Sequence, residues 1–145
     1  QEDILKKYGL GIAEHFVAAW QNNGFVIDHE LLAAYGEYFP NVPLVLATNA
    51  TSRLPLELQD AGLSDHFQHV FNSSAMGVAK PQKEYFYAML MSLGITAKQA
   101  LFIDDSLSNI QTAQALGMQA LHFKDKSQLI GQLENISLQA SLVEF

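Results

Sequence analysis

The sequence predicts an α/β fold, in which a doubly wound, Rossmann-like parallel sheet lies between two layers of helices. Residues 44–47 form a short apolar run without a polar position, which is typical of a strand buried on both faces. After residue 43, segments with strand and helix patterns alternate strictly. Three of the predicted helices end at a glycine. Four predicted strands are too few to close a barrel, so we expect an open sheet.

The N-terminal region is predicted to contain two helices and no strand. The first rests on apolar residues that recur at helical spacing, namely Leu10, Ala13, Phe16, Val17 and Trp20. A second helix is predicted at about 29–39, with Asp28 as its N-cap and two prolines after it. The boundary between the helical and the alternating region therefore lies near residues 40–43.

The alternating region supplies the predicted sheet. In chain order its elements are strand 44–47, helix 53–61, strand 68–72, helix 82–93, strand 100–103, helix 107–116, strand 119–123 and a terminal helix at 127–134. Gly62, Gly94 and Gly117 stand where glycine commonly ends a helix in the left-handed conformation. These glycines define the helix ends better than helix propensity alone.

Composition narrows the possible functions. The chain has 145 residues and a formal net charge of -7, without a cluster of basic residues, so we expect no nucleic-acid binding. It contains no cysteine, which excludes disulfides and thiolate chemistry. No apolar stretch is long enough to cross a membrane, and the first residues do not resemble a targeting segment. We therefore expect a soluble, cytoplasmic protein that does not bind membranes.

Polar residues cluster at the ends of two predicted strands and ahead of one helix. They are Thr48, Asn49, Lys80, Asp104, Asp105, Ser106 and Asn109. In an open parallel sheet, ligands bind at the carboxyl ends of the strands. Two adjacent carboxylates there favour a hard cation such as Mg²⁺, with Asp105 or Asp104 as its ligand. We call this edge of the sheet, with the polar residues named above, the rim. A hydroxyl, an amide and an ammonium on the same rim suit a transferring phosphoryl group.

Four of these residues also have a simpler explanation. Asp104 and Asp105 can form a turn that caps the next helix, and Asn109 can lie in the first turn of that helix. Lys80 can be a solvated loop charge before a proline. The five histidines show no zinc-binding spacing, and we expect them in the core or on the surface. Asp104 and Asp105 occur together with Lys80, Thr48 and Asn49 in one chain, and this combination favours a phosphate site.

Three stretches in the same order strengthen this interpretation. LVLATNATS, GVAKPQKEYF and FIDDSLSNIQTAQALGM resemble the second, third and fourth motifs of the haloacid dehalogenase superfamily. The resemblance covers about residues 28–123. It implies an Mg²⁺-dependent phosphatase that acts on a small phosphorylated metabolite through an aspartyl-phosphate.

The resemblance also assigns a role to each matching residue. Thr48 and Asn49 would bind the phosphoryl oxygens, and Lys80 would neutralise the charge of the nucleophile and the phosphate. Asp105 would hold Mg²⁺, with Asp104 beside it. Ser106 and Asn109 would contact these ligands without binding the metal or the phosphate themselves.

The first motif of the family, an apolar strand that ends in Asp-x-Asp, has no clear match. Asp28 is the nearest candidate for the nucleophile, but only about twenty residues separate it from Thr48, too few for the usual elements. We expect Asp28 to cap a helix instead. The resemblance then divides the chain into a remnant of a helical cap, residues 1–27, and a core, residues 28–145, without its first strand.

A missing first strand would have consequences for the sheet. Two inner edges would lose their hydrogen-bond partners and the apolar faces beside them would be exposed. The edges could then close on each other, a missing N-terminal segment could fill the gap, or a second chain could do so. On the family pattern, cap residues such as Phe16 and Trp20 would lie near the substrate, although core packing explains them more simply.

Two further functions stay open at this point. Without a nucleophile, the chain would be a catalytically inactive binding or structural module. A 2-haloacid dehalogenase is a second alternative, but those members of the family dispense with the metal and carry Ser-Ser-Asn in the fourth motif. Because this chain has Asp104 and Asp105 there, we favour the phosphatase.

Overall fold

A computed structural model describes residues 15–18, 29–60, 62 and 64–143 of the chain, which form an α/β fold. The strands are β1 (His15–Ala18), β2 (Leu44–Thr48), β3 (His69–Asn72), β4 (Ala100–Asp104) and β5 (Gln119–His122). The helices are α1 (His29–Tyr38), α2 (Leu54–Asp60), α3 (Ser73–Met76), α4 (Lys83–Leu93), α5 (Leu107–Ala115) and α6 (Lys126–Val143). Short 3-10 helices lie at Ser64–His66 and Ala97–Gln99. No helix among the described residues is both long and apolar enough to span a membrane.

Within the described residues the five strands are all parallel, in the order β3-β2-β1-β4-β5. The central strand is β1, whose Ala18 lies opposite Leu46 of β2 and Ile103 of β4. The predicted helix over residues 10–20 is therefore wrong for residues 15–18. A four-residue segment is too short for its apolar spacing to separate a helix from a buried strand, and main-chain pairing on both sides decides the conformation.

The position of β1 also corrects the predicted domain division. The core does not lack its central strand, because residues 15–18 occupy the gap between β2 and β4. Phe16 belongs to this strand and not to a cap segment. Trp20 and Asp28 lie outside the described residues.

The sheet is covered on both faces, which confirms the predicted three-layer arrangement. Along β2, alternate residues point to opposite faces, with Leu44 and Leu46 in one apolar cluster and Val45 and Ala47 in the other. The first cluster continues into α1, α2 and α6, and the second into α4 and α5. Burial of apolar surface on both sides holds the sheet between the helices.

The predicted boundaries of the alternating region are correct within one or two residues, except at the last helix. Gly62, Gly94 and Gly117 all have positive φ, as the helix-end prediction requires. The terminal helix continues to Val143, well beyond the predicted end. The short helix α3 was not predicted; Asn72 caps its start, since its side chain accepts a hydrogen bond from the backbone N–H of Ser74.

Candidate functional site

The predicted site residues meet at the carboxyl end of the sheet. Thr48 is the last residue of β2 and Asp104 the last of β4, and these strands flank β1. Asn49 and Asp105 come directly after them. Lys80 reaches the same edge from the loop before α4, with its Nζ 2.8 Å from Asp104 Oδ2. The shared edge that the sequence predicted therefore exists.

Lys80 and Asp104 form an ion pair whose side chains are fully buried. Lys80 Nζ also donates a hydrogen bond of 2.9 Å to the carbonyl oxygen of Ala47 in β2. Burial lowers the pKa of Lys80, and the charge of Asp104 opposes this shift. An ammonium has three N–H donors, and the acceptors among the described residues use two of them.

Asp104 is held by three donors. Besides Lys80 Nζ, its Oδ2 accepts from Asn109 Nδ2 at 2.9 Å, and its Oδ1 accepts from the backbone N–H of Ser106 at 2.9 Å. Asn109 itself is buried, and this contact gives it a part in the site beyond a place in the first turn of α5. The main role of the Asp104 carboxylate is therefore to balance the charge of the Lys80 ammonium.

Asn49 anchors the peptide groups of Lys80. Its Nδ2 donates to the carbonyl oxygen of Lys80 at 2.9 Å, and its Oδ1 accepts from the backbone N–H of Lys80 at 3.0 Å. These two hydrogen bonds determine the orientation of the Asn49 amide. The N–H₂ group has a second donor, so Asn49 positions Lys80 and its predicted role as a phosphate-binding residue stays a prediction.

Asp105 differs from its neighbour because it is exposed. Desolvation raises the pKa of its carboxyl group, and the hydrogen bond and negative charge of Asp104 add to that shift. Two carboxylates side by side are stabilised by a cation. Thr48, which is buried, completes this end of β2.

Three residues of the site were not predicted. Asn72, at the end of β3, accepts from the backbone N–H of Ala50 at 3.2 Å and donates to the carbonyl oxygen of Thr51 at 2.8 Å. Tyr85 donates from its buried hydroxyl to the carbonyl oxygen of Phe71 at 2.6 Å. His122, at the end of β5, contacts the carbonyl oxygen of Asp105. Asn72 and His122 end apolar strands at the same sheet edge, and that position was the available signal.

The rim fits a divalent cation as a partial site. The described residues contain no group of three or more His, Cys, Asp or Glu side chains that could hold a metal. Asp105 offers an exposed carboxylate, and Asp104 Oδ1 accepts one hydrogen bond from Ser106 and keeps a further lone pair. Mg²⁺ is commonly bound by one or two carboxylates and keeps several water molecules, so this donor set suits it.

Comparison with known sequences points to one family. A family model of haloacid dehalogenase-like hydrolases matches residues 37–117. A phosphoglycolate phosphatase of Yersinia pestis is 32% identical over 107 residues, which cover 72% of this chain and 46% of that protein. A sesquiterpene phosphatase of Aspergillus oryzae is 38% identical over 61 residues, which cover 42% of this chain and 31% of that protein. The chain thus spans less than half the length of either relative.

Solved structures show the same fold. An enzyme of the same family from Bacteroides thetaiotaomicron, solved in complex with magnesium and inorganic phosphate, is 27% identical with a TM-score of 0.64; the match covers 72% of this chain and 58% of that one. An uncharacterized protein from Corynebacterium glutamicum is 20% identical with a TM-score of 0.66 over 86% of this chain and 94% of its own. Since the family model covers more than half of the sequence, the chain belongs to the haloacid dehalogenase-like hydrolases.

Proposed function

We propose that the chain forms the core of an Mg²⁺-dependent phosphatase that acts on small phosphorylated metabolites. The observation that carries this proposal is the ammonium of Lys80, which the sheet edge fixes between Ala47 and Asp104; these acceptors, within the described part of the chain, use two of its three N–H donors. A positive charge held in place before the substrate arrives stabilises a phosphoryl group without reorganisation. Thr48 and Asp105 lie at the same edge.

The remaining residues keep this charge in position. Asn49 fixes the peptide groups of Lys80, and Asp104 fixes its ammonium. Asp105 would hold Mg²⁺, which, when bound, supplies further positive charge to a phosphate oxygen. The resemblance to a phosphoglycolate phosphatase and to a structure solved with magnesium and inorganic phosphate supports this choice of substrate and cation.

A second candidate function is a phosphate-binding module without turnover. The observation that favours it lies in the sequence after the central strand, because residues 19–27 contain neither Asp nor Glu. Catalysis through an aspartyl-phosphate needs a carboxylate that attacks phosphorus beside Lys80. Asp28 is the first carboxylate that follows β1 in the chain. The two functions share the same rim and differ only in this nucleophile.

Phosphate release from p-nitrophenyl phosphate and from phosphoglycolate, measured with Mg²⁺ and with a chelator, separates the two functions. Turnover that the chelator removes and Mg²⁺ restores supports the phosphatase. Binding of inorganic phosphate by calorimetry without turnover supports the binding module. Absence of both turnover and phosphate binding contradicts both.

Two variants assign the roles. We expect Asp105→Asn to remove the response to Mg²⁺, since the exposed carboxylate is lost. Asp60→Asn, at the exposed end of α2, is the matched control and should respond like the parent chain. If turnover is present and Asp28→Asn abolishes it, Asp28 is the nucleophile; if turnover persists, the nucleophile is another group.

A further inference from the structure

The peptide group between Asp105 and Ser106 is held at both of its ends. Its N–H, from Ser106, donates to Asp104 Oδ1 at 2.9 Å. Its carbonyl oxygen, from Asp105, lies 2.9 Å from Nε2 of His122. A peptide group is planar, so two hydrogen bonds at opposite ends determine its orientation. That orientation sets the backbone torsion angle ψ of Asp105.

β5 brings His122 to this peptide group. His122 lies opposite Asp104 in the pairing of β5 with β4, and the next residue, Phe123, donates its backbone N–H to the carbonyl oxygen of Asp104 at 2.8 Å. The end of β5 therefore contacts the carbonyl oxygens of both adjacent aspartates. One contact continues the sheet, whereas the other depends on the imidazole side chain.

The chemistry of the contact determines the hydrogen on the ring. A carbonyl oxygen only accepts hydrogen bonds, so Nε2 of His122 must carry a hydrogen. The neutral Nε2–H tautomer and the imidazolium both satisfy this condition.

We propose that His122 is a positioning residue that holds Asp105 in the backbone conformation needed to bind a divalent cation. Only residues 105 and 106 connect β4 to α5, and Asp105 is exposed beside the negative charge of Asp104. Repulsion between the two carboxylates favours rotation of the Asp105 backbone away from the rim. The hydrogen bond from His122 opposes this rotation. The cation part of this proposal rests on the proposed function.

The test compares His122→Leu with His122→Gln, because the glutamine amide places a donor near the position of Nε2 and leucine does not. Amide hydrogen exchange of Ser106 is the first measurement, and it needs no metal. We expect exchange about five- to tenfold faster in His122→Leu, the equivalent of one lost hydrogen bond, and near-parental exchange in His122→Gln. Global stability from urea unfolding shows whether the change is local.

Mg²⁺ affinity, measured by calorimetry on the same variants, is the second measurement. We expect a loss of about five- to tenfold in His122→Leu and recovery in His122→Gln. Unchanged exchange of Ser106 in a folded His122→Leu variant would overturn the proposal, as would parental Mg²⁺ affinity. If no chain binds Mg²⁺ but exchange changes as expected, His122 holds the peptide and the proposed metal-dependent function is the part that fails.

Discussion

Two ion pairs in the described part of the molecule lie in opposite environments. At the sheet edge, Lys80 Nζ lies 2.8 Å from Asp104 Oδ2, and both side chains are 0% exposed. Between two helices, Lys126 and Glu30 are 3.3 Å apart, with side chains 39% and 69% exposed. Water solvates the second pair, so the attraction between its charges adds little to stability. In the buried pair, each charge is compensated mainly by its partner. Similar charges thus have different consequences in the two places.

The contrast shows how the rim is maintained. A buried pair contributes little net stability compared with apolar residues of the same volume, but removal of one partner leaves a charge without compensation. The helix pair has no such penalty, and α1 and α6 are also joined by a hydrogen bond from the Tyr38 hydroxyl to Glu134. We infer that the buried charges of Lys80 and Asp104 serve to hold these two side chains in place at the rim, and not to stabilise the fold. The following variants test this comparison.

The largest effect is expected for Lys80→Met. The substitution leaves Asp104 buried without its counter-charge, and we expect unfolding to become easier by about 3–5 kcal/mol in urea denaturation. The double variant with Asp104→Asn should recover at least half of this loss, since the uncompensated charge is gone and Asn109 can rotate its amide to accept. Losses that simply add in the double variant would contradict the comparison.

Asn72→Leu tests a neutral part of the same rim. This buried amide holds the loop after β2 through Ala50 and Thr51 and caps α3 through Ser74. Its loss therefore leaves two backbone N–H groups and one backbone carbonyl without their partner. We expect a decrease in the free energy of unfolding of about 1–3 kcal/mol, measured in urea. Ser74→Ala, at an exposed position beside it, serves as the control. A loss equal to that of the control would show that the loop does not need the amide.

Asp105→Asn is expected to have a small effect of opposite sign in magnesium-free buffer. Because the pKa of folded Asp105 is raised above its ordinary value of 3.8, the folded chain binds the proton more tightly than the unfolded chain. Ionisation therefore costs stability as pH rises through the folded pKa, and no cost remains below 3.8. The variant should be more stable near neutral pH, by less than about 1 kcal/mol, and equal to the parent in acid. Thermal unfolding at both pH values measures this, and a gain in acid would refute the explanation.

The smallest effect is expected for Glu30→Gln, which removes one partner of the exposed pair. We expect the free energy of unfolding to change by less than about 0.5 kcal/mol, and added salt to reduce the difference further. Urea unfolding at low and high salt provides the measurement. A loss comparable to that of Lys80→Met would remove the distinction between the two pairs.

The sequence by itself determined the alternation after residue 43, the helix ends at Gly62, Gly94 and Gly117, and the sheet edge at which the site residues meet. These features depend on local properties, namely the spacing of apolar residues, the conformational freedom of glycine and the position just past a strand. Such properties are present in a short stretch of chain. They can therefore be predicted without knowledge of the residues that pack against them.

Only the tertiary structure decided that residues 15–18 are the central strand, since pairing with β2 and β4 overrides the helical spacing. It also placed the two adjacent aspartates in different environments. The carboxylate of Asp104 contacts the Lys80 ammonium, whereas that of Asp105 faces water. The hydrogen bonds between the Asn49 side chain and the peptide groups of Lys80 have the same origin. Each of these outcomes depends on contacts between residues far apart in the chain, and no local pattern contains that information.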